Sequence, residues 1–316
     1  MSQLSIKPTS GETPAGEVFR PSSTMIVAAP IPKSQVVPGK ANYKILLLKR
    51  GRKGTSANTH VFPGGNVDKS DHDPRWAQLL NYSPPEGSIA TPLFNMICAI
   101  REAFEECGVL VSEPSIELSN DEIKVWRERV HNDGAEFYNL CTSHGVKPAI
   151  GRLCHFSSWI TPPVEPKRFH TQFYLTVLPW SRESFSEHRI FADGKETVEL
   201  DWMTPEEALD AYREGKRITT FLPPQFVTLS ELLPIVRHED LVAQFGQRKI
   251  VHIMPEFQVD SKDDRGIHLS GILPGDEEHS THVVPGGRHR ILITRGKNGM
   301  SIRKYVNGSV EVKARL

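Results

Sequence analysis

Cysteine is scarce: the 316 residues hold four, Cys98, Cys107, Cys141 and Cys154, with no C-x-x-C among them. That spacing suggests neither a zinc site nor a disulfide framework and fits a reducing compartment. Long apolar runs are missing too. No stretch approaches the roughly 20 residues that span a bilayer, and the opening residues lack a charged-then-apolar leader pattern, so the expectation is a soluble, non-secreted chain with no membrane span. Nor is there an excess of either charge, since 38 Lys and Arg balance 38 Asp and Glu. No global field draws the chain to nucleic acid, and a polyanionic ligand must be held locally. What is present is length, enough for one large or two ordinary domains at roughly 150 residues each.

Residues 1–22 are rich in Pro, Ser, Thr and Gly and are expected to be a disordered tail. The apolar runs 24–29 and 43–49 read as buried strands, and 60–62 as a short strand running into Pro63, Gly64 and Gly65. Residues 66–91 are polar and carry three prolines, which reads as an insertion with one helical turn around Trp76. From Pro92, the residues Leu93, Met96, Ile97, Ile100, Phe104 and Cys107 recur at helical spacing, and Gly108 stands where a glycine stops a helix. Further helices are expected over 121–131, 205–215 and 224–237, and strands over 153–161, 171–178 and 198–203. After residue 248 the pattern turns to short β-like runs, a β-rich extension over 249–313. Its charge is split, with acids concentrated in 256–279 and bases in 285–316, which reads as strands pairing their charges rather than as a binding patch.

Chemistry concentrates in REAFEECG, residues 101–108. At 100° per residue, setting Glu102 to zero puts Glu106 at about 40° and Glu105 at about 300°, while Ile97, Ile100, Phe104 and Cys107 fall between about 140° and 220°. The three carboxylates share one face, opposite the apolar one. Two readings stand: a solvated acidic face, or a metal site. The first meets a cost, because Glu102 and Glu106 are like charges at i,i+4 and all three sit in the last turns, where the helix dipole disfavours each anion by roughly 0.3–1 kcal/mol. Arg101 supplies one cation beside the cluster; Mg²⁺ or Mn²⁺, which take hard oxygen ligands, compensates better, and the spacing favours the metal.

Together, HVFPGG (60–65), the run from Gly65 through five residues to Asp71, and Arg101-Glu102-Ala103-Phe104-Glu105-Glu106-Cys107-Gly108-Val109 resemble the box of the Nudix hydrolase family. Asp71 stands where the family has Glu, and 29 residues separate it from Arg101 where seven are usual, so the resemblance assigns Asp71 no role. LLLKRGRKGTSANTHVFPGGNVD (46–68), SSWITPPVEPKRFHTQFYL (157–175) and LPPQ (222–225) resemble the coenzyme A diphosphatases, in particular a peroxisomal type with an insertion in its box.

The resemblance implies a Nudix α/β/α sandwich with a mixed sheet over 23–240, the box interrupted by an insertion over 72–91. It implies a small nucleotide-containing substrate, coenzyme A or acyl-coenzyme A, hydrolysed at its diphosphate. Glu102, Glu105 and Glu106 match metal-binding glutamates, with Glu105 a ligand or the base, and the Gly64 carbonyl matches a further ligand. Arg101 matches the arginine that orients the carboxylates. Glu196 resembles a later acidic residue of the site, with Glu199 nearly as good a match. Arg50 and Arg52 are either phosphate contacts, since guanidinium matches phosphate oxygens, or solvated loop charges. A Nudix pyrophosphatase for ADP-ribose, NADH or dinucleoside polyphosphates, and a non-catalytic Nudix-fold module, are the competing readings. Ala314-Arg315-Leu316 fits the small-basic-leucine class of peroxisomal addresses and implies an import receptor as partner, with cytoplasm or mitochondrion as the alternatives.

Overall fold

The apolar runs TMIVAA and YKILLLK fold as the centres of β1 (Arg20–Pro30) and β2 (Tyr43–Arg50). The computed structural model describes residues 19–51, 59–84, 92–179, 197–297 and 299–313. Then come β3 (His60–Val61), β4 (Gly64–Asn66), α1 (Arg75–Leu80), α2 (Leu93–Cys107), β5 (Ser112–Glu113), α3 (Asn120–Asn132), α4 (Glu136–Ser143) and β6 (Lys147–Pro148). After these follow β7 (Cys154–Ile160), β8 (Phe169–Val177), β9 (Thr197–Met203), α5 (Pro205–Glu214), α6 (Pro223–Leu232) and α7 (His238–Phe245). Among the described residues no helix is long and apolar enough to cross a membrane.

The chain divides into two compact units. Of the described residues, the larger holds those within Pro21–Phe156 and Thr171–Arg248, and the second holds 19–20, Ser157–His170 and those from Lys249 on. In the larger unit β1 pairs antiparallel with β2, Ala28 opposite Ile45, and β9 runs along β2 with Leu46 opposite Trp202. The PGG turn lets the chain step from β3, paired to β2 at Leu48 and Val61, to β4, paired to β1 at Thr24 and Gly64.

Side chains alternate across a strand, so β2 sends Leu46 and Leu48 to one face and Tyr43 to the other. Leu46 and Leu48 pack with Met25 and Val27 of β1 against Ile97, Ile100, Phe104 and Cys107 of α2. Burying one such large apolar side chain contributes about 1.5–3 kcal/mol. Tyr43 reaches the other helix layer, donating from its hydroxyl to the carbonyls of Leu232 and Ile235. The larger unit is thus a sheet between helices, and α2 is clamped against it by its apolar stripe.

The boundaries differ from expectation where local chemistry intervenes. β1 takes in Arg20, Pro21 and Ser22, which the sequence left in the tail, because Ser22 pairs with Asn66 of β4. The helix expected over 224–237 stops at Leu232 because Pro234 cannot donate the next helical bond, and α7 starts separately at His238. Within the insertion, α1 buries Trp76 in the main core.

In the second unit β10 (His252–Ile253) pairs parallel with β7 at Ser158 and Trp159. Beyond it β11 (Glu256–Asp263), β12 (Gly266–Ile272), β13 (His289–Gly296), β14 (Gly299–Asn307) and β15 (Val310–Lys313) form an antiparallel meander, the β-rich extension. Ile291, Ile293, Ile302 and Val312 are buried in it. Its split charge resolves into pairs: Arg290 with Asp276 and Glu278, and Arg303 with Asp260.

Candidate active site

The site forms where β4 lies against the last turns of α2. Gly108, at φ 79°, ends α2 in the left-handed conformation that glycine adopts without a Cβ penalty. Two features of β4 let it approach the helix. The Gly64 N–H donates to Glu106 Oε2 at 2.8 Å. At Gly65 a Cβ would stand 2.5–2.6 Å from the Glu102 carboxylate, so that position admits only glycine while Glu102 stays where it is.

Arg101 organises the carboxylates. It is buried, and its Nε and Nη2 donate to the two oxygens of Asp71 at 2.8 and 2.9 Å. Nη2 also lies 2.9 Å from Glu102 Oε1 and donates to the Asn66 carbonyl, and Nη1 donates to Glu105 Oε2 at 3.2 Å. A planar guanidinium has five N–H donors in a fixed fork, and here they tie together the residues on both sides of the insertion. Asp71 is buried as well, placed by a short turn over Lys69–His72 in which its Oδ2 accepts the Asp68 N–H. The 29 residues between Asp71 and Arg101 therefore do not displace the pair: the chain leaves at Asp71 and returns along α2.

Glu102, Glu105 and Glu106 fall on one side of α2, as the helical spacing requires, but that side is not a solvated one. Glu102 and Glu105 are only 13 % and 16 % exposed at the side chain. Burial, opposed by Arg101 and reinforced by the nearby Glu105, pushes the Glu102 carboxyl up to about 7. Arg101 is held well above its ordinary value: burial alone would lower it, and the bonds to Asp71 and the charge of Glu102 outweigh that.

The end of α2 has a second cation that sequence reasoning missed. Arg127 of α3 donates from Nε to the Glu105 carbonyl at 2.8 Å and from Nη2 to the Glu106 carbonyl at 2.7 Å. One turn on, His131 Nδ1 lies 2.7 Å from Glu105 Oε1. The signal in the sequence was Arg127 itself, a charge set between Ile123 and Val130 on the buried stripe of α3.

Among the described residues no three His, Cys, Asp or Glu side chains are gathered as a ready metal cage. The glutamate oxygens turn instead to Arg101, His131 and the Gly64 N–H. The donor set nonetheless fits a hard divalent cation. Three carboxylates, Asp71, Glu102 and Glu105, meet one buried guanidinium, and Glu106 accepts from the Gly64 N–H.

Arg50 is exposed at the end of β2, opposite Thr197. Arg52, Glu196 and Ala314-Arg315-Leu316 lie outside the described residues. Glu199, the alternative to Glu196, pairs with Lys49 at 3.0 Å, and alternation puts it on the face of the sheet turned away from α2.

A family model described as the NUDT19 Nudix domain matches residues 86–232. The acyl-coenzyme A diphosphatase NUDT19 of Gallus gallus is 30 % identical to this chain, over 88 % of the chain and 84 % of the relative. That of Xenopus laevis is 28 % identical, over 88 % and 91 %. Among solved structures, a Nudix hydrolase from Alicyclobacillus acidocaldarius superposes with a TM-score of 0.57 at 20 % identity, covering 74 % of this chain and 100 % of that one.

Proposed function

The chain belongs to the NUDT19 Nudix family, and on that premise we propose that it hydrolyses the diphosphate of coenzyme A or acyl-coenzyme A, releasing adenosine 3′,5′-bisphosphate and 4′-phosphopantetheine or its acyl form. The observation that carries this reading is the intact set of box carboxylates on α2: Glu102 and Glu105, held by Arg101 together with Asp71, and Glu106, held by the Gly64 N–H. A non-catalytic Nudix-fold module would be expected to lose box glutamates, and this chain keeps all three.

Glu102, Glu105, Glu106 and the Gly64 carbonyl would hold Mg²⁺ or Mn²⁺. When bound, such an ion offsets the charge that develops on diphosphate oxygens and lowers the pKa of a coordinated water. The chain's own residues do the rest. Arg101 fixes the orientation of Glu102 and Glu105, Glu105 is a ligand or accepts the proton of the attacking water, and the Gly64 N–H holds Glu106. Arg50 and Arg52 are proposed to meet the substrate phosphates, and Glu196 to add a further carboxylate. Ala314-Arg315-Leu316 is proposed as a peroxisomal address read by an import receptor. Deleting it should send a fluorescent fusion to the cytosol, and unchanged localisation would refute the address.

A substrate panel tests the activity. The protein with Mg²⁺ or Mn²⁺ is given coenzyme A, an acyl-coenzyme A, ADP-ribose, NADH and a dinucleoside polyphosphate. The expected result is turnover of the coenzyme A compounds ahead of the rest. Turnover of ADP-ribose or NADH with none of either coenzyme A compound would overturn the substrate assignment.

A further inference from the structure

Two side chains outside the Nudix box grip the end of α2 from α3. The last carbonyls of a helix have no partner within it. Here two of them, those of Glu105 and Glu106, are taken by the buried guanidinium of Arg127. The cation stands where the helix dipole is negative and where two glutamate side chains add to it, so it offsets the cost of keeping those anions at a helix end. His131, on the next turn of α3, meets Glu105 Oε1 at 2.7 Å. An ionised carboxylate only accepts, so Nδ1 of His131 carries the hydrogen. The other oxygen of Glu105 is held by Arg101.

We propose that Arg127 and His131 are positioning residues of the active site: Arg127 fixes the backbone that carries Glu105 and Glu106, and His131 fixes how the Glu105 carboxylate is turned. The support is itself rigid. α3 begins with a capping box between Ser119 and Glu122, and it is anchored by Ile123 and Val130 on either side of Arg127. None of these residues belongs to the matched box, yet they set the geometry of two of its glutamates. The inference rests on reading Glu105 and Glu106 as carboxylates that hold the divalent ion. Partners in the outer shell of a metal site typically change affinity or activity by about 10–100-fold when removed.

The test uses the full chain and measures Mn²⁺ binding without substrate by electron paramagnetic resonance, beside kcat and KM for coenzyme A and the melting temperature. His131→Ala is expected to weaken Mn²⁺ binding by about tenfold or more and to lower kcat, with KM within about twofold. His131→Asn, whose amide N–H can reach the same oxygen, should recover most of the loss. Arg127→Lys should fall between wild type and Arg127→Ala. If Arg127→Ala fails to fold, His131→Ala still decides, because that side chain is 31 % exposed and its loss leaves the core intact. Wild-type Mn²⁺ affinity and kcat in a folded His131→Ala variant would overturn the proposal. Glu105→Gln separates the two possible failures. If it too binds Mn²⁺ as wild type does, the reading of Glu105 is wrong and the proposal falls with it. If it weakens binding while His131→Ala and Arg127→Lys do not, only the positioning role is overturned.

Discussion

Arg101 is the residue on which the site turns, because one guanidinium satisfies Asp71, Glu102 and Glu105 at once. Removing one partner of a buried ion pair leaves the other uncompensated, at a cost of about 3–5 kcal/mol. Asp71→Asn should therefore lower unfolding free energy in urea by several kcal/mol, a loss on the order of that figure. Gly65→Ala should act differently. Its new Cβ would displace the Glu102 carboxylate, so hydrolysis should fall on the order of 10²-fold while the urea midpoint moves little. The glutamate face could be read from the sequence because helical spacing alone fixes which residues share a side. Asp71 could not, since its tie to Arg101 runs across 29 residues of chain and obeys no period. Arg127 was visible only as a charge on an apolar stripe, a mark that says a partner exists without saying which.

At the scale of elements, α2 is defined by its two sides and its end. The stripe of Ile97, Ile100, Phe104 and Cys107 docks it on the sheet, and Gly108 stops it one residue after the apolar run closes. Gly108→Ala forces a Cβ into the left-handed region and should cost about 1–2 kcal/mol, measurable as a lower melting temperature. α3 depends on its cap in the same way, and Ser119→Ala should cost about 1 kcal/mol. Strong periodic elements were legible for this reason: β2, α2, α3 and α5 each carry an apolar pattern with capping or stop chemistry at an end. α4 was not, because its buried Phe137, Leu140 and Cys141 make only two helical turns between Gly134 and Gly145. The break between α6 and α7 was missed because the apolar pattern continues through Pro234 even though the backbone cannot.

At the scale of the whole molecule, the second unit carries its own titratable arrangement. His279 is buried in the loop between β12 and β13 and accepts the N–H groups of Thr281 and His282 on Nδ1. Burial holds its pKa below the ordinary 6.5, and the neighbouring His282 and His289 work in the same direction while Glu256 and Asp276 oppose them. A depressed pKa means that the folded state prefers the neutral ring. The stability this contributes is fully present above about pH 6.5 and is lost as pH falls toward the folded value. Hydrogen exchange of the Thr281 and His282 amides should therefore show less protection at pH 5 than at pH 7, once corrected for intrinsic rates. Unchanged protection would show that the ring stays neutral throughout. The larger unit carries the central claim, that the α2 carboxylates make the chain a metal-dependent diphosphatase. Release of adenosine 3′,5′-bisphosphate from coenzyme A, followed with Mg²⁺, with excess chelator, and with Glu106→Gln, tests it most directly. The account predicts release by the wild type with Mg²⁺, none with chelator, and a rate lowered on the order of 10²–10³-fold in the variant. Release that survives both chelator and the loss of Glu106 would contradict it.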